Sequence, residues 1–162
     1  MEAILAVSKN GVVGVGNKLP WYFKEDLKHF KEYTRDKHLI AGTTTVLGLP
    51  PLPNRYLVQF SKYGSKEPQC HDICHTVECA FNKYPTAIVI GGPKTIYCFL
   101  PFIQKITLTI LDIEVPNNID NVTIDLGTLL KGFEQTNIYV LSENAIVKEF
   151  KKCYQKGQLD NA

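Results

Sequence analysis

Short apolar runs alternate with helix-like stretches along almost the whole chain, and this alternation constrains the fold more than any other feature. Residues 2–8, 37–41, 55–60, 86–90 and 105–113 have the length and apolar content of buried strands, with Ile113-Glu114-Val115 as a possible prolongation of the last. Between them, residues 24–35, a short stretch opening at Gly42-Thr43-Thr44-Thr45, residues 76–84 and a run from Pro93 to about Leu100 read as helices. Strands separated by helices imply a mostly parallel sheet with helices on both faces. Residues 137–142 and 145–151, joined through Ser142-Glu143-Asn144, read as an antiparallel pair at the C-terminal edge of that sheet. Residues 9–23 carry Gly11, Gly14 and Gly16 with Asn10 and Asn17, and read as a mobile loop. The expectation is a single α/β domain over residues 1–162.

Composition narrows the function classes. A length of 162 residues fits one domain, and 44% apolar residues suffice for a core. A net charge of +2 argues against a nucleic-acid surface, and no apolar run is long enough to span a membrane. The N-terminal run reads as a strand and not as a signal peptide. Five cysteines, an odd number, argue against a disulfide framework and for free thiols in the cytoplasm. Cys70, His71, Cys74 and His75 lie close together, but no second pair follows at zinc spacing, so no metal is expected. A strand with Thr76 capping the next helix accounts for the segment equally well.

One acid is out of place. At about 100° per residue, Lys24, Glu25, Lys28, His29, Glu32 and Arg35 share the polar face of the first helix, whereas Asp26 falls on the side of Phe30. A carboxylate on an apolar face is costly unless it is paired. Capping or the helix dipole is the plain explanation. A functional one is also open: between Trp21, Phe23 and Phe30, a carboxylate can take an amidine-like N–C–NH2 edge through two hydrogen bonds.

Two strand-to-helix junctions have the character of anion sites, at Gly42-Thr43-Thr44-Thr45 and at Gly91-Gly92-Pro93-Lys94-Thr95. Together with Ser61-Lys62 after a third strand, they suggest a diphosphate-bearing cofactor lying across the sheet edge. Arg55, after the Pro50–Asn54 turn, is either a surface residue or a clamp for a ligand carboxylate.

These pieces match a family. Ala6-Val7 with Gly11-Val12-Val13-Gly14, Leu19-Pro20-Trp21, Asp26-Leu27 with Phe30, Gly42 with Thr45, Pro51-Leu52-Pro53-Asn54-Arg55, Ile90-Gly91-Gly92, Phe99-Leu100-Pro101, and Leu108-Thr109 with Asp112 resemble dihydrofolate reductase in order and spacing. The resemblance implies hydride transfer from NADPH to 7,8-dihydrofolate. It implies that Asp26 holds the pterin, with Thr109 bonded to it and Trp21 beside it. Ile4, Ala6, Leu27, Phe30 and Leu49 would line the substrate pocket, and Arg55 would take the glutamate carboxylate. Ala6, Val13, Gly14, Val15, Gly16, Asn17, Lys18 and Leu19 would border the nicotinamide. Thr44, Thr45, Ser61, Lys62, Gly91, Gly92, Pro93, Lys94, Thr95 and Ile96 would hold the rest of the cofactor, with a cis bond between Gly91 and Gly92. A monomer is expected, with dihydrofolate as its small-molecule partner.

The chain also departs from the family pattern. Thr43 stands where the family usually has arginine, Pro93 replaces a third glycine, and Ile96 takes the place of a tyrosine. Two alternatives share the fold: a reductase of another heterocycle, such as a riboflavin-pathway pyrimidine, and a non-catalytic binding or structural protein.

Overall fold

The computed structural model describes residues 1–154; residues 155–162 of the expected domain lie outside the described residues. Ten strands and five α-helices follow one another as β1 (Glu2–Ser8), β2 (Val12–Val15), α1 (Lys24–Thr34), β3 (His38–Gly42), α2 (Thr43–Gly48), β4 (Tyr56–Phe60), β5 (Asp72–Cys74), α3 (Val77–Lys83), β6 (Ile88–Gly91), α4 (Pro93–Phe99), β7 (Lys105–Leu111), β8 (Asn121–Thr123), α5 (Leu126–Leu129), β9 (Phe133–Ser142) and β10 (Ala145–Lys152), with a 3-10 turn at Leu100–Phe102. Eight of the strands form one sheet in the order β5-β4-β3-β6-β1-β7-β10-β9. Its pairs are parallel from β5 to β7, and β10 then pairs antiparallel with both β7 and β9. The chain leaves β1, builds outward through β3, β4 and β5, and returns to place β6 beside β1. The ends of β1 and β6 therefore flank the point where the winding reverses, which is where open α/β sheets bind ligands.

Alternation along the strands divides the core between the two sheet faces. Ile4, Leu39, Ala41, Leu57 and Ile88 pack with Val46 of α2 and with Phe30 and Tyr33 of α1. Ala3, Val7, Ile40, Val58 and Val89 face the other way, against Ala80 of α3 and Ile96 and Phe99 of α4. Phe99 is fully buried and meets Phe60 edge-on, with ring centroids 4.9 Å apart.

Helix α1 is fastened to the sheet by polar contacts as well as by packing. His29 Nε2 lies 2.9 Å from the Tyr139 hydroxyl of β9. Tyr33 donates to Glu2 Oε1 at 3.0 Å and accepts from the Thr107 hydroxyl at 3.2 Å. Thr107 and Thr109 alternate to the same face of β7, so the strand offers hydroxyls to two levels of the helix.

The structure departs from the sequence reading in several places. The loop expected over 9–23 contains strand β2, whose partner β8 is more than a hundred residues away and forms a separate two-stranded sheet with it. Strand β7 stops at Leu111, without the prolongation through Val115, because its neighbours end at Ser8 and Ala145. Strand β9 begins at Phe133, not 137, and register shifts accompany its pairing with β10. Helix α5 was not anticipated, although Asp125 caps it by accepting from Gly127 N at 3.0 Å. Thr76 caps α3 as expected, accepting from Cys79 N at 3.1 Å.

Replacing Phe99 by Ala removes a large buried ring that α4 and β4 share. The expected loss is about 3–5 kcal/mol of unfolding free energy, read from the urea midpoint at unchanged m-value.

Candidate active site

Asp26 sits in the first turn of α1, yet it does not cap the helix. The N-cap position is Phe23, and no side-chain cap hydrogen bond is made there. Asp26 is only 8% exposed. Burial pushes its carboxyl above the ordinary value, while hydrogen bonding with the Thr109 hydroxyl acts in the opposite direction. Thr109, itself 1% exposed, pairs with Ala6 of β1 and Val147 of β10. The acid thus faces a hydroxyl rooted in the middle of the sheet, and among the described residues no cation pairs with it.

Three of the five residues expected to line the substrate pocket pack together. Ile4 lies in one buried cluster with Phe30 and Leu49. Ala6 and Leu27 are half-buried. Leu52 and Ile90 join the same cluster. Sequence reasoning had not placed these two at the site, although Ile90 stands directly before Gly91. Trp21 Nε1 is buried without a protein partner. A buried donor left unpaired costs about 1–3 kcal/mol, so it marks a place built to meet a polar ligand atom or a water.

Arg55 is tied to the end of α1. Its Nε donates to Thr34 Oγ1 at 3.2 Å, Nη1 to the Pro53 carbonyl at 2.6 Å, and Nη2 to the Lys31 carbonyl. A guanidinium has five N–H donors, so one remains on each terminal nitrogen. The fork is held rigidly before any ligand arrives.

The turns at the strand ends hold the residues expected on the cofactor side. Gly91 has φ +142, open to glycine and strained for other residues, and it is joined to Gly92 by a cis peptide bond. A Cβ on Gly91 or Gly92 would stand 3.4 or 3.6 Å from Thr45 Oγ1, so α2 and the β6–α4 turn approach closely. The turn at residues 15–18, closed by a Val15–Lys18 bridge, reaches the end of α2, where a Cβ on Gly48 would overlap the Asn17 carbonyl. Val13 packs on the core, whereas Gly16, Asn17, Lys18 and Leu19 are exposed. Thr44 and Lys94 are exposed, and Thr95 is buried.

One expectation needs correcting. The Ile96 side chain is 1% exposed and lies in the core, and its backbone N–H bonds to the Gly92 carbonyl at 3.0 Å. Helical geometry turns it away from the crevice, leaving it neither a free side chain nor a free donor for a cofactor.

Gln59 was also missed. It is fully buried, donates to Thr43 Oγ1 at 3.0 Å and to the Ser65 carbonyl at 3.2 Å, and accepts from Glu67 N at 2.8 Å. It joins the start of α2 to the loop after β4. A polar residue inside the apolar run 55–60 was the available signal.

With this geometry in view, a family model described as dihydrofolate reductase matches residues 1–130. The chain belongs to the dihydrofolate reductase family. It is 36% identical over 121 residues to the dihydrofolate reductase of Buchnera aphidicola subsp. Acyrthosiphon pisum, covering 71% of this chain and 74% of that one. It is 32% identical over 117 residues to that of Mycobacterium tuberculosis H37Rv, covering 70% and 72%. In fold, the chain resembles a dihydrofolate reductase from Enterococcus faecalis, solved with NADP(H) and RAB-propyl, at TM-score 0.80 and 24% identity over 93% of this chain and 95% of that one.

The Asp26 carboxyl keeps its proton to higher pH in the folded chain than in the unfolded one. Between its ordinary value of 3.8 and the raised one, the folded state holds more protons, so rising pH lowers stability. Asp26→Asn removes this dependence. Its stability relative to the parent should increase from about pH 4 upward and then level off, measured by urea unfolding across pH.

Proposed function

We propose that Asp26 is the substrate-anchoring and proton-holding residue of this site, and that Trp21, Thr109 and Arg55 orient what it binds. The chain is an NADPH-dependent dihydrofolate reductase, forming 5,6,7,8-tetrahydrofolate from 7,8-dihydrofolate. NADPH supplies the hydride when bound. The observation that carries the proposal is a carboxyl buried against Thr109, free of any capping task.

Each role follows from what the side chain can do. As a carboxylate, Asp26 accepts two hydrogen bonds from the N–C–NH2 edge of a pterin. Reduction of the adjacent carbon leaves a ring nitrogen that must gain a proton, and a carboxyl whose ionisation is disfavoured by burial retains a proton nearer neutrality. Ile4, Leu27, Phe30 and Leu49 hold the flat ring and its benzoyl extension, and exclude water. The two free N–H groups of Arg55 suit the carboxylate at the far end of the substrate. On the cofactor side, the close-set backbone at Gly91 and Gly92, with Thr44, Thr45, Lys94 and Thr95, fits a diphosphate. Ala6, Val13, Gly14, Val15 and the turn from Gly16 to Leu19 border the nicotinamide end. Ser61 and Lys62 lie farther along the same edge.

We also propose one domain over residues 1–162, acting as a monomer in the cytoplasm with no nucleic-acid partner. The net charge of +2 supports the absence of a nucleic-acid partner. Among the described residues, no helix is long and apolar enough to cross a membrane.

The test is loss of NADPH absorbance on adding dihydrofolate. Asp26→Asn should remain folded and lose roughly 10²–10⁴-fold of turnover at pH 7. Near-parental turnover in that variant would remove Asp26 from the proposed role.

A further inference from the structure

Packing and hydrogen bonds account for the segment from Cys70 to His75. Among the described residues, no group of three or more His, Cys, Asp or Glu residues could hold a metal ion. Cys70 and Cys74 are buried. His71 accepts from Leu57 N through Nδ1 at 3.0 Å, and His75 Nδ1 lies 2.6 Å from the Ser61 carbonyl oxygen, in the edge row that follows β4 and β5. A half-buried tyrosine under α1 carries more.

Asp26, Phe30 and Tyr33 form one stripe on α1. Tyr33 follows Asp26 by seven residues, which at about 100° per residue brings it back to within about 20° of the acid. Both meet the same strand. Asp26 hydrogen-bonds with Thr109, and Tyr33 accepts from the Thr107 hydroxyl at 3.2 Å. Thr107 and Thr109 stand on one face of β7. Helix and strand therefore touch at two points, running in opposite senses along the two elements. Seven helical residues rise about 10.5 Å, whereas two strand residues span about 6.6 Å. The tyrosine closes the difference, because helical side chains lean toward the helix N-terminus.

The Tyr33 hydroxyl is fixed from both sides. It donates to Glu2 Oε1 of β1 at 3.0 Å and accepts from Thr107, which is fully buried. This chain of donors ends on a carboxylate, which strengthens both bonds. Lys105 of β7 places Nζ 5.8 Å from the Tyr33 ring centroid and pairs with Glu149 of β10 at 3.6 Å. Burial pushes the Tyr33 hydroxyl up to about 12, so it keeps its proton, and its bond to Glu2, across the neutral range. Asp26, by contrast, caps nothing and pairs with no cation among the described residues. What keeps its carboxyl on Thr109 is the seat of α1. The His29–Tyr139 contact ties α1 outward to β9, whereas Tyr33 ties it to the strand that carries Thr109.

We propose that Tyr33 is a positioning residue for the reaction: its hydroxyl, locked between Thr107 and Glu2, sets the height and rotation of α1 on β7 and so holds the Asp26 carboxyl on Thr109. The proposal rests on the reading of Asp26 given above. Tyr33 acts through Asp26 and not on the substrate.

Three variants test it. Tyr33→Phe keeps the packed ring and removes the hydroxyl. Combining it with Thr107→Val also removes the buried hydroxyl that would lose its partner. Thr107→Ser keeps that hydroxyl. Titration of Asp26 is followed on the full chain by carbon NMR of labelled aspartate carboxyls, with Asp26→Asn to assign the signal. The midpoint, raised in the parent, should fall toward the ordinary 3.8 in Tyr33→Phe and in the double variant, and keep its parental value in Thr107→Ser. In the first two, kcat/KM for dihydrofolate should fall about tenfold, the scale of a small misplacement of a reacting group, while the calorimetric affinity for NADPH stays parental. A purely structural role would lower the urea midpoint and leave the Asp26 titration in place. An unchanged Asp26 midpoint in both hydroxyl-deleted variants overturns the proposal, as does an unchanged kcat/KM when the parent is active. A midpoint that falls, in a chain whose parent reduces no dihydrofolate, supports the seating of Asp26 by Tyr33 and removes the reductase reading.

Discussion

The parallel register from β5 to β7 is the constraint on which the site depends. Parallel pairing brings the C-terminal ends of β1, β3, β4, β5 and β6 to one edge. Residues more than eighty positions apart in the chain thereby become neighbours, as Ala3 and Val89 do. Gly91 faces Thr45 because β6 lies between β3 and β1, and Ser61 faces His75 because β4 and β5 are in step. A slip of one residue in any of these pairs would turn the edge row over and bury what is now presented.

Within that frame, the polar groups in apolar surroundings mark where stability and function compete. Gln59 is buried with its amide bonds satisfied, so it stiffens the crevice wall. Asp26 is buried with a hydroxyl beside it and no cation, so its carboxyl is displaced toward the neutral form. Trp21 keeps an indole N–H in the interior without a protein acceptor. A chain selected for stability alone would satisfy or remove the last two groups. They lie close in the chain, one on α1 and one just before it.

Much of this was legible beforehand, for identifiable reasons. The strands β1, β3, β4, β6 and β7 are apolar on two faces, and such runs announce themselves. The misplacement of Asp26 followed from helical period alone, and the structure then removed the capping explanation, because Phe23 occupies the cap position. What escaped were elements defined by distant partners. Strand β2 is four residues long and glycine-containing, and exists because Asn121–Thr123 reaches it. Strand β9 is largely exposed, so burial leaves little imprint on its sequence. Ile96 was assigned to the cofactor by position in a motif, whereas rotation about the axis of α4 sends it into the core.

The sequence by itself determined the α/β alternation, the apolar faces, the odd acid on α1 and the glycine junctions between strands and helices, because these depend on local period and on which backbone conformations a residue permits. Only the tertiary structure decided what those features meet. It set Thr109 against Asp26, fastened Arg55 to the end of α1, and lined up Thr43, Ser61 and His75 along one edge. Hydrogen bonds and burial across strands depend on register between segments far apart in sequence, and no local pattern carries that information.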